Sequence, residues 1–171
     1  MRKTIVIIGV LMLMFSTNSC KSGESFNDEL EDTSQKCDKV IKAIENQDED
    51  ALKELFSTIM LKEAADLDKG VSYIFGQYQG TYVKKERVGF GSEDAYEKGE
   101  HSRVISAYYK VYTDKTEYII YLKYWPENDF NKDMEGIYSL GMIPIEQENN
   151  NKYYDQEYVG VYYPEWKYKK K

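Results

Sequence analysis

The sequence predicts an α+β domain in which N-terminal helices pack on one face of a curved antiparallel sheet of four to five strands. Before Gly80, apolar residues recur every three or four positions, which is the helical period. After Gly80 they alternate with polar residues, which is the strand period. Helices followed by consecutive strands are typical of α+β architecture. The 17 tyrosines favour either a sheet half exposed to water or a pocket lined by aromatic rings.

The chain begins with the pattern of an export signal. Arg2 and Lys3 precede an apolar run, residues 5–15, and small or polar residues separate that run from Cys20. This order resembles a bacterial lipoprotein signal, in which the cysteine after the cut receives the lipid. The apolar run is shorter than the roughly 20 residues that span a bilayer. We therefore predict a signal peptide over residues 1–19 and lipidation of Cys20.

The residues around Cys20 leave alternatives open. Thr17 and Asn18 depart from the residues usual in a lipidation motif, which leaves the position of the cut open. An uncut membrane anchor and a secreted protein with a free cysteine are the alternatives. On the lipoprotein interpretation, residues 20–25 are a lipidated tether. The protein then lies at the extracytoplasmic face of the cell membrane, and the membrane is a partner through the acyl anchor at Cys20, because two acyl chains hold firmly.

Composition indicates one acidic domain. The formal net charge is −7, and residues 1–19 contribute only basic charge. We expect no nucleic-acid partner, because phosphate binding needs clustered Lys and Arg, whereas a protein partner is compatible with such a surface. We predict a single domain over residues 26–166, long enough for a proper core, and a solvated basic tail over residues 167–171. Cys37 falls on the apolar side of a predicted helix and is interpreted as a small buried hydrophobe.

Three helices are expected before Gly80. The first covers residues 26–47. A second, short helix begins after Asp48, whose side chain can cap it. The third covers residues 59–78, with Gly70 as a candidate break in its middle. The apolar side of the first helix is formed by Leu30, Cys37, Val40, Ile41 and Ile44.

Four strands and a final irregular strand are expected after Gly80. They cover residues 81–90, 104–113, 116–125, 137–145 and 153–166. Polar connections separate them at residues 91–103, which are expected to form a long hairpin, and at residues 126–136 and 146–152. Asp114 and Lys115 form a tight turn. The faces expected to point towards the helices are Ile105, Ala107, Tyr109 and Val111 on the second strand, and Tyr118, Ile120, Leu122 and Tyr124 on the third.

Three segments of the chain resemble one protein family. They are LKELFSTIMLKEAADLDKGVSYIFGQYQG, VYTDKTEYIIYLKY and GIYSLGMI, and the matching blocks run from Ala51 to about Pro144. The chain is similar there to a family of lipoproteins from Gram-positive bacteria, domain of unknown function 5104. The resemblance implies a nuclear-transport-factor-2-like, or cystatin-like, fold, in which helices and a curved sheet form a cone. It carries over no site residues.

An open cone would offer one candidate site. The mouths of curved sheets are a usual place for ligand pockets. The expected pocket lining is Tyr78, Tyr109, Tyr118, Tyr124 and Trp125. The alternative is that these rings only pack in the core and at the sheet edges.

No catalytic residue, metal site or cofactor is predicted. His101 lies in a polar stretch and is interpreted as a solvated side chain. Asp66 and Asp68 are two positions apart, so they do not share a helix face. Acidic and amide residues alternate before the fourth strand as in the first half of a calcium loop, but Met134 replaces the required glycine. These alternating residues are Asp129, Asn131, Asp133 and Glu135.

Two classes of function compete. The first is a membrane-anchored extracytoplasmic lipoprotein that acts as a non-catalytic binding or interaction domain, of which an immunity-type inhibitor of a toxin is a sharper version. A structural lipoprotein of the cell envelope would have the same sequence features. The alternative is a small-molecule enzyme of the cone-pocket type, isomerase-like or dehydratase-like, which needs a buried acid or a His–Asp pair at the cone centre. A filled interior favours the first class, and an open pocket favours the second.

Overall fold

The structure, a computed structural model, describes residues 22–147 and 159–164. The predicted signal peptide, Cys20 and the predicted basic tail lie outside the described residues, as does most of the predicted last strand. Four helices precede the sheet: α1 (Ser22–Glu45), α2 (Glu49–Lys53), α3 (Thr58–Glu63) and α4 (Leu67–Gln77). Among the described residues, no helix combines the length and the apolar character that a bilayer-spanning helix needs.

Local side-chain contacts explain where the short helices begin. The Asp48 carboxylate accepts a hydrogen bond from the Ala51 amide at 2.9 Å and caps α2, as expected from the sequence. The Ser57 hydroxyl accepts one from the Met60 amide at 3.1 Å and caps α3. These caps satisfy amides that have no partner within the helix.

The expected third helix is in fact two helices. Asp66 adopts a left-handed conformation (φ 56°) between α3 and α4, and this conformation interrupts the helix. The expectation that Gly70 marks the break is wrong, because Gly70 lies inside α4. A Cβ at Gly70 would lie 2.5 Å from the Val161 carbonyl oxygen, so the glycine is needed for close packing.

The sheet has five strands in the order β1-β2-β3-β4-β5. They are β1 (Tyr82–Glu97), β2 (Glu100–Thr113), β3 (Glu117–Asn128), β4 (Gly136–Pro144) and β5 (Gly160–Val161). The first three pairings are antiparallel, but β5 pairs parallel with β4 at Ser139 and Leu140, so the sheet is mixed rather than purely antiparallel. Short 3-10 turns follow β3 and β4, at Lys132–Met134 and Ile145–Gln147.

The expected polar connection over residues 91–103 belongs to the sheet instead. Strands β1 and β2 pair as far as Glu97 and Glu100, and Lys98 and Gly99 form the turn with φ values of 52° and 90°. Strand β3 pairs with β2 only from Ser102 onward. Residues 96–101 therefore project beyond the three-stranded part of the sheet. We refer to this projection, together with residues 93–95 at its base, as the arm.

The larger of two hydrophobic clusters among the described residues lies between the helices and the concave face of the sheet. The two strand faces expected from the sequence are confirmed, since all eight of their side chains are buried there. Helix α1 covers them with Cys37, Val40, Ile41 and Ile44, each at most 3% exposed. The predicted α+β class, with helices packed on a curved sheet, is confirmed. The more specific likeness to a nuclear-transport-factor-2-like cone stays a prediction.

Candidate functional site

The structure brings together four of the five side chains proposed as a pocket lining. Tyr109, Tyr118 and Tyr124 point into the core and are at most 2% exposed. Tyr78 stacks on Tyr118 with ring centroids 5.5 Å apart. Trp125 lies on the opposite face of the sheet, because neighbouring strand residues point to opposite faces; its ring packs against Tyr138 at 5.0 Å.

Two of the buried phenols are tied to the helical layer. The Tyr118 hydroxyl accepts a hydrogen bond from the Gln79 amide at 2.7 Å and donates to the Gln77 carbonyl at 2.9 Å. The Tyr124 hydroxyl lies 2.7 Å from the hydroxyl of Thr33. The ammonium group of Lys36 sits 4.8 Å from the centroid of the Tyr124 ring. These contacts fix the rings as packing elements between α1, the end of α4 and the sheet.

The hydroxyls of the other two tyrosines, Tyr78 and Tyr109, lack hydrogen bonds of good geometry. The hydroxyls of Tyr78 and Tyr109 are buried and have no hydrogen-bond partner among the described residues. Burial raises the pKa of Tyr78 to about 12 and also raises the pKa of Tyr109. A hydrogen-bonding interaction with Arg87 and then the charge of its guanidinium partly offset the rise in the pKa of Tyr109, although the Arg87 contact does not meet the geometry of a full hydrogen bond to the hydroxyl. Both phenols are therefore neutral at pH 7 and unsuited to act as bases.

Cys37 is a core residue rather than a nucleophile. Its side chain is 0% exposed, and burial raises the pKa of the thiol to about 12. The thiolate is the reactive form of cysteine, and this environment suppresses it. The interpretation of Cys37 as a small buried hydrophobe is confirmed.

The strongest convergence of charged groups lies at the base of the arm, on the concave face. The imidazole of His101, on β2, lies between two carboxylates: its Nε2 is 2.7 Å from Asp94 on β1, and its Nδ1 is 3.1 Å from Glu127 on β3. The Tyr96 ring stacks on the imidazole at 4.3 Å with an interplanar angle of 17°. We name these four residues, together with Arg103, the His101 cluster.

Arg103 joins the His101 cluster to helix α1. Its Nε donates to Asp94 at 2.8 Å and lies 3.9 Å from the carboxylate of Glu29 on α1. The Ser92 hydroxyl donates to the same Glu29 carboxylate at 2.7 Å. Hydrogen bonds from Arg103 and from His101 lower the pKa of Asp94, so this carboxylate is charged at neutral pH. The cluster braces the arm against α1 and β3.

The geometry of the His101 cluster favours a structural role over a catalytic one. Each ring nitrogen of His101 faces a carboxylate oxygen, and an ionised carboxylate only accepts hydrogen bonds. A general base needs one nitrogen free to face the group that it deprotonates. His101 has no such nitrogen, and its side chain is only 17% exposed.

The sequence interpretation missed this arrangement. It treated His101 as a solvated side chain and gave no role to Asp94, Arg103 or Glu127. Asp94 lies only seven positions from His101 in the chain, but Glu127 is on another strand. The cluster forms only through strand pairing, in which Tyr96 lies opposite His101 and Arg103 opposite Glu127. The signal that could have found them is the register of the β1–β2 hairpin.

The remaining acidic candidates are paired within the chain. Asp66 accepts a hydrogen bond from the Tyr163 hydroxyl at 3.0 Å, whereas Asp68 accepts one from Lys53 at 2.9 Å, so the two aspartates serve different contacts. In the loop after β3, the ammonium of Lys132 lies 3.0 Å from Asp129 and 2.9 Å from Glu135.

The ammonium group of Lys132 thus lies between two of the carboxylates that resemble the first half of a calcium loop, where a bound ion would otherwise lie. Across residues 22–147 and 159–164, no three or more His, Cys, Asp or Glu side chains are arranged to hold a metal ion.

These features define a class: an α+β domain with an open five-stranded sheet, a concave face filled by helices, and charged groups gathered at a projecting hairpin. The model of the family described as Domain of unknown function (DUF5104) matches residues 39–147, and the chain belongs to this family. The resemblance drawn from the sequence segments is thereby confirmed. No curated protein matches the chain.

Proposed function

We propose that the protein is a lipid-anchored extracytoplasmic binding domain that contacts a protein partner through its outer surface and catalyses no reaction. The anchor is the acyl group on Cys20, and the location is the extracytoplasmic face of the cell membrane. An immunity-type inhibitor of a toxin is one form that such a domain takes. The observation that carries the proposal is the filled concave face of the sheet.

The filled face supports binding by the outside of the domain. Ligand pockets bury most of a small molecule inside an open concavity. Here the side chains in the middle of the concave face are at most 2% exposed and contact the helices above them. They are Ile105, Ala107, Tyr109, Ile120, Leu122 and Tyr124. A ligand would have to displace α1 to reach them.

The sequence pattern supports the anchor. Arg2 and Lys3, the apolar run over residues 5–15 and the small residues before Cys20 follow the order of a lipoprotein signal. Helix α1 begins at Ser22, so only a short link separates the proposed acyl group from the folded domain. The formal net charge of −7 makes attachment by a basic surface to anionic lipid unfavourable.

The enzymatic alternative requires a catalytic group at the centre of the concave face. That centre carries neutral phenols and aliphatic side chains. The one His–Asp pair among the described residues is the His101–Asp94 pair, which lies at the base of the arm, and both nitrogens of His101 face carboxylates. This arrangement favours the binding class over the enzyme class.

The proposal is tested by a titration of the native protein with an apolar fluorophore such as 8-anilinonaphthalene-1-sulfonate. A filled interior predicts no saturable one-to-one binding. The matched control is Leu122→Ala, because a truncated buried leucine leaves a cavity that can admit an apolar molecule. Saturable binding to the unaltered protein, abolished by filling the interior with Ala107→Leu, would contradict the proposal.

A further inference from the structure

We propose that the arm is the docking surface of this domain, and that its partner is a basic segment of a polypeptide that meets the domain close to the membrane. The inference rests on the proposed binding function and specifies where the partner binds and which chemistry it carries. Three features of the arm support it: a preformed aromatic face, carboxylates without ion-pair partners among the described residues, and a position near the proposed anchor.

The aromatic face is the outward side of the Tyr96 ring. One side of this ring stacks on the imidazole of His101, and the residue is nevertheless 72% exposed, so the other side of the ring faces solvent. His101 is in turn held by Asp94 and Glu127. Tyr96 is therefore held in place before any partner arrives, which reduces the entropy lost on binding.

An exposed tyrosine face of this kind suits a cation. Lys and Arg side chains are attracted to the face of an aromatic ring within about 6 Å of its centroid. The chain itself uses this contact elsewhere, since Lys84 lies 4.4 Å and Lys110 lies 4.9 Å from the centroid of Tyr112. Tyr96 offers the same surface without an internal cation over it among the described contacts.

The charge of the arm points to the same partner. Glu93, Glu97 and Glu100 are exposed on the arm. They project from the face opposite Tyr96, so a polypeptide segment meets both the ring and the carboxylates only by passing around the edge of this two-stranded ribbon. Of the three glutamates, only Glu97 has an ion pair within the described part of the chain, with Lys98 at 3.0 Å. Complementary charge raises association rates and selects the partner. Anionic lipid would be repelled by these carboxylates, so the bilayer surface itself is a poor occupant.

The base of the arm lies near the proposed anchor. Glu29 on α1 contacts Ser92 and Arg103 at that base, and α1 begins at Ser22. Seven residues of helix span about 10 Å, and the two residue steps from Ser22 to Cys20 add at most about 7 Å. A lipid on Cys20 would therefore hold the base of the arm within roughly 20 Å of the bilayer surface.

Exposed aromatic residues at this end of the sheet widen the surface. Phe26, in the first turns of α1, is 49% exposed, and Phe130, just after β3, is 42% exposed. The amide of Asp129 donates to the carbonyl of His101 at 2.8 Å, which places Phe130 beside the arm. Binding surfaces gain most of their affinity from a few aromatic and arginine anchors.

The test uses the full-length lipoprotein in phosphatidylcholine vesicles and a fluorescent peptide of alternating lysine and serine. Its dissociation constant is measured by anisotropy at low and high salt. We expect Glu93→Lys combined with Glu100→Lys to weaken binding at least about tenfold, and Tyr96→Ala to weaken it about tenfold. Lys98→Glu is expected to strengthen binding of the peptide. The test therefore includes a variant that should gain affinity as well as variants that should lose it.

The matched control is Glu54→Lys combined with Glu146→Lys, which makes the same change in net charge at exposed sites away from the arm. It should change the dissociation constant less than about twofold. Equal weakening by both double variants, unchanged binding in the arm variants, or no saturable binding of the basic peptide would each overturn the inference. If the protein stays in the membrane fraction of cells while the arm variants bind normally, the arm assignment fails and the proposed function stands.

Discussion

The hydroxyl of Tyr124 on β3 lies 2.7 Å from the hydroxyl of Thr33 on α1. Both residues are buried, with Thr33 0% and Tyr124 1% exposed, although 91 positions separate them in the chain. Thr33 also donates to the carbonyl of Glu29 at 2.7 Å, so its hydroxyl accepts the proton of Tyr124. The contact is thus a directed hydrogen bond that fixes α1 over the middle of the sheet.

Mutation of the two partners of this bond should lower the free energy of unfolding by different amounts. Tyr124→Phe removes one hydrogen bond, and Thr33 keeps its bond to Glu29, so we expect a loss of about 1 kcal/mol in the free energy of unfolding. Thr33→Val also leaves the Tyr124 hydroxyl buried without a partner, which costs about 1–3 kcal/mol. Urea denaturation should show the double variant to be more stable than the sum of the two losses. Strict additivity would contradict the assigned bond.

Two glycines of helix α4 should respond in opposite directions. A Cβ on Gly70 would lie 2.6 Å from the Cβ of Val161, so Gly70→Ala should destabilise the protein by about 1–3 kcal/mol through overpacking. A Cβ on Gly76 would point into open space, with no atom outside its own helix backbone within 4 Å, and Gly76→Ala should stabilise the protein by about 0.5–1 kcal/mol through helix propensity. Thermal denaturation followed by circular dichroism measures both changes. A neutral Gly70→Ala would contradict the packing of β5 on α4.

Alkaline pH should unfold the protein through its buried tyrosines. Burial raises the pKa of Tyr78 and of Tyr124 from 10.0 to about 12. The unfolded chain therefore loses phenolic protons at lower pH than the folded protein does. The stabilisation is fully present below pH 10, falls as the pH rises from about 10, and is lost near 12.

This pH dependence is measured by phenolate absorbance together with circular dichroism. A group of tyrosines should ionise only as the helical signal disappears. Tyr124→Phe should reduce the dependence of stability on pH in the range between about 10 and 12. Smooth ionisation of all tyrosines in a protein that stays folded would show that these rings are more accessible than the structure has them.

The Cys37 thiol should not react with thiol reagents in the native protein. Its side chain is 0% exposed and its pKa is raised to about 12, so a thiol reagent such as 5,5′-dithiobis(2-nitrobenzoic acid) should not react until the protein is unfolded. If Cys20 carries the proposed acyl group, the unfolded mature protein should then show one reactive thiol, because an acylated cysteine has none. Rapid labelling of the native protein at Cys37 would contradict its burial under α1.

The sequence predicted the elements whose pattern reflects burial. Residues Ile105 to Val111 and Tyr118 to Tyr124 alternate because one face of each strand meets the helices, and both faces were assigned correctly. The hairpin at residues 91–103 was expected, but the continuation of both strands into the arm was not, because residues 93–100 are exposed on both sides and carry no apolar alternation. Its turn is also unusual, because Lys98 takes a left-handed conformation that turns more often assign to Asn, Asp or Gly.

Tertiary contacts account for the other differences. The break between α3 and α4 depends on the conformation of Asp66, whose carboxylate binds Tyr163, a residue remote in sequence. The helix also tolerates Gly70 because β5 packs on it. In the candidate site, the pairing of His101 with Asp94 and Glu127 depends on strand register, which apolar periodicity does not specify on an exposed hairpin.

The membrane anchor is tested most directly by replacing Cys20 with alanine and separating membrane from soluble fractions of cells that express each form. We predict that the unaltered protein is recovered with the membrane, and that Cys20→Ala releases a folded protein from it. Cys37→Ala is the matched control and should stay membrane-bound. Retention of Cys20→Ala in the membrane fraction would contradict the lipid anchor.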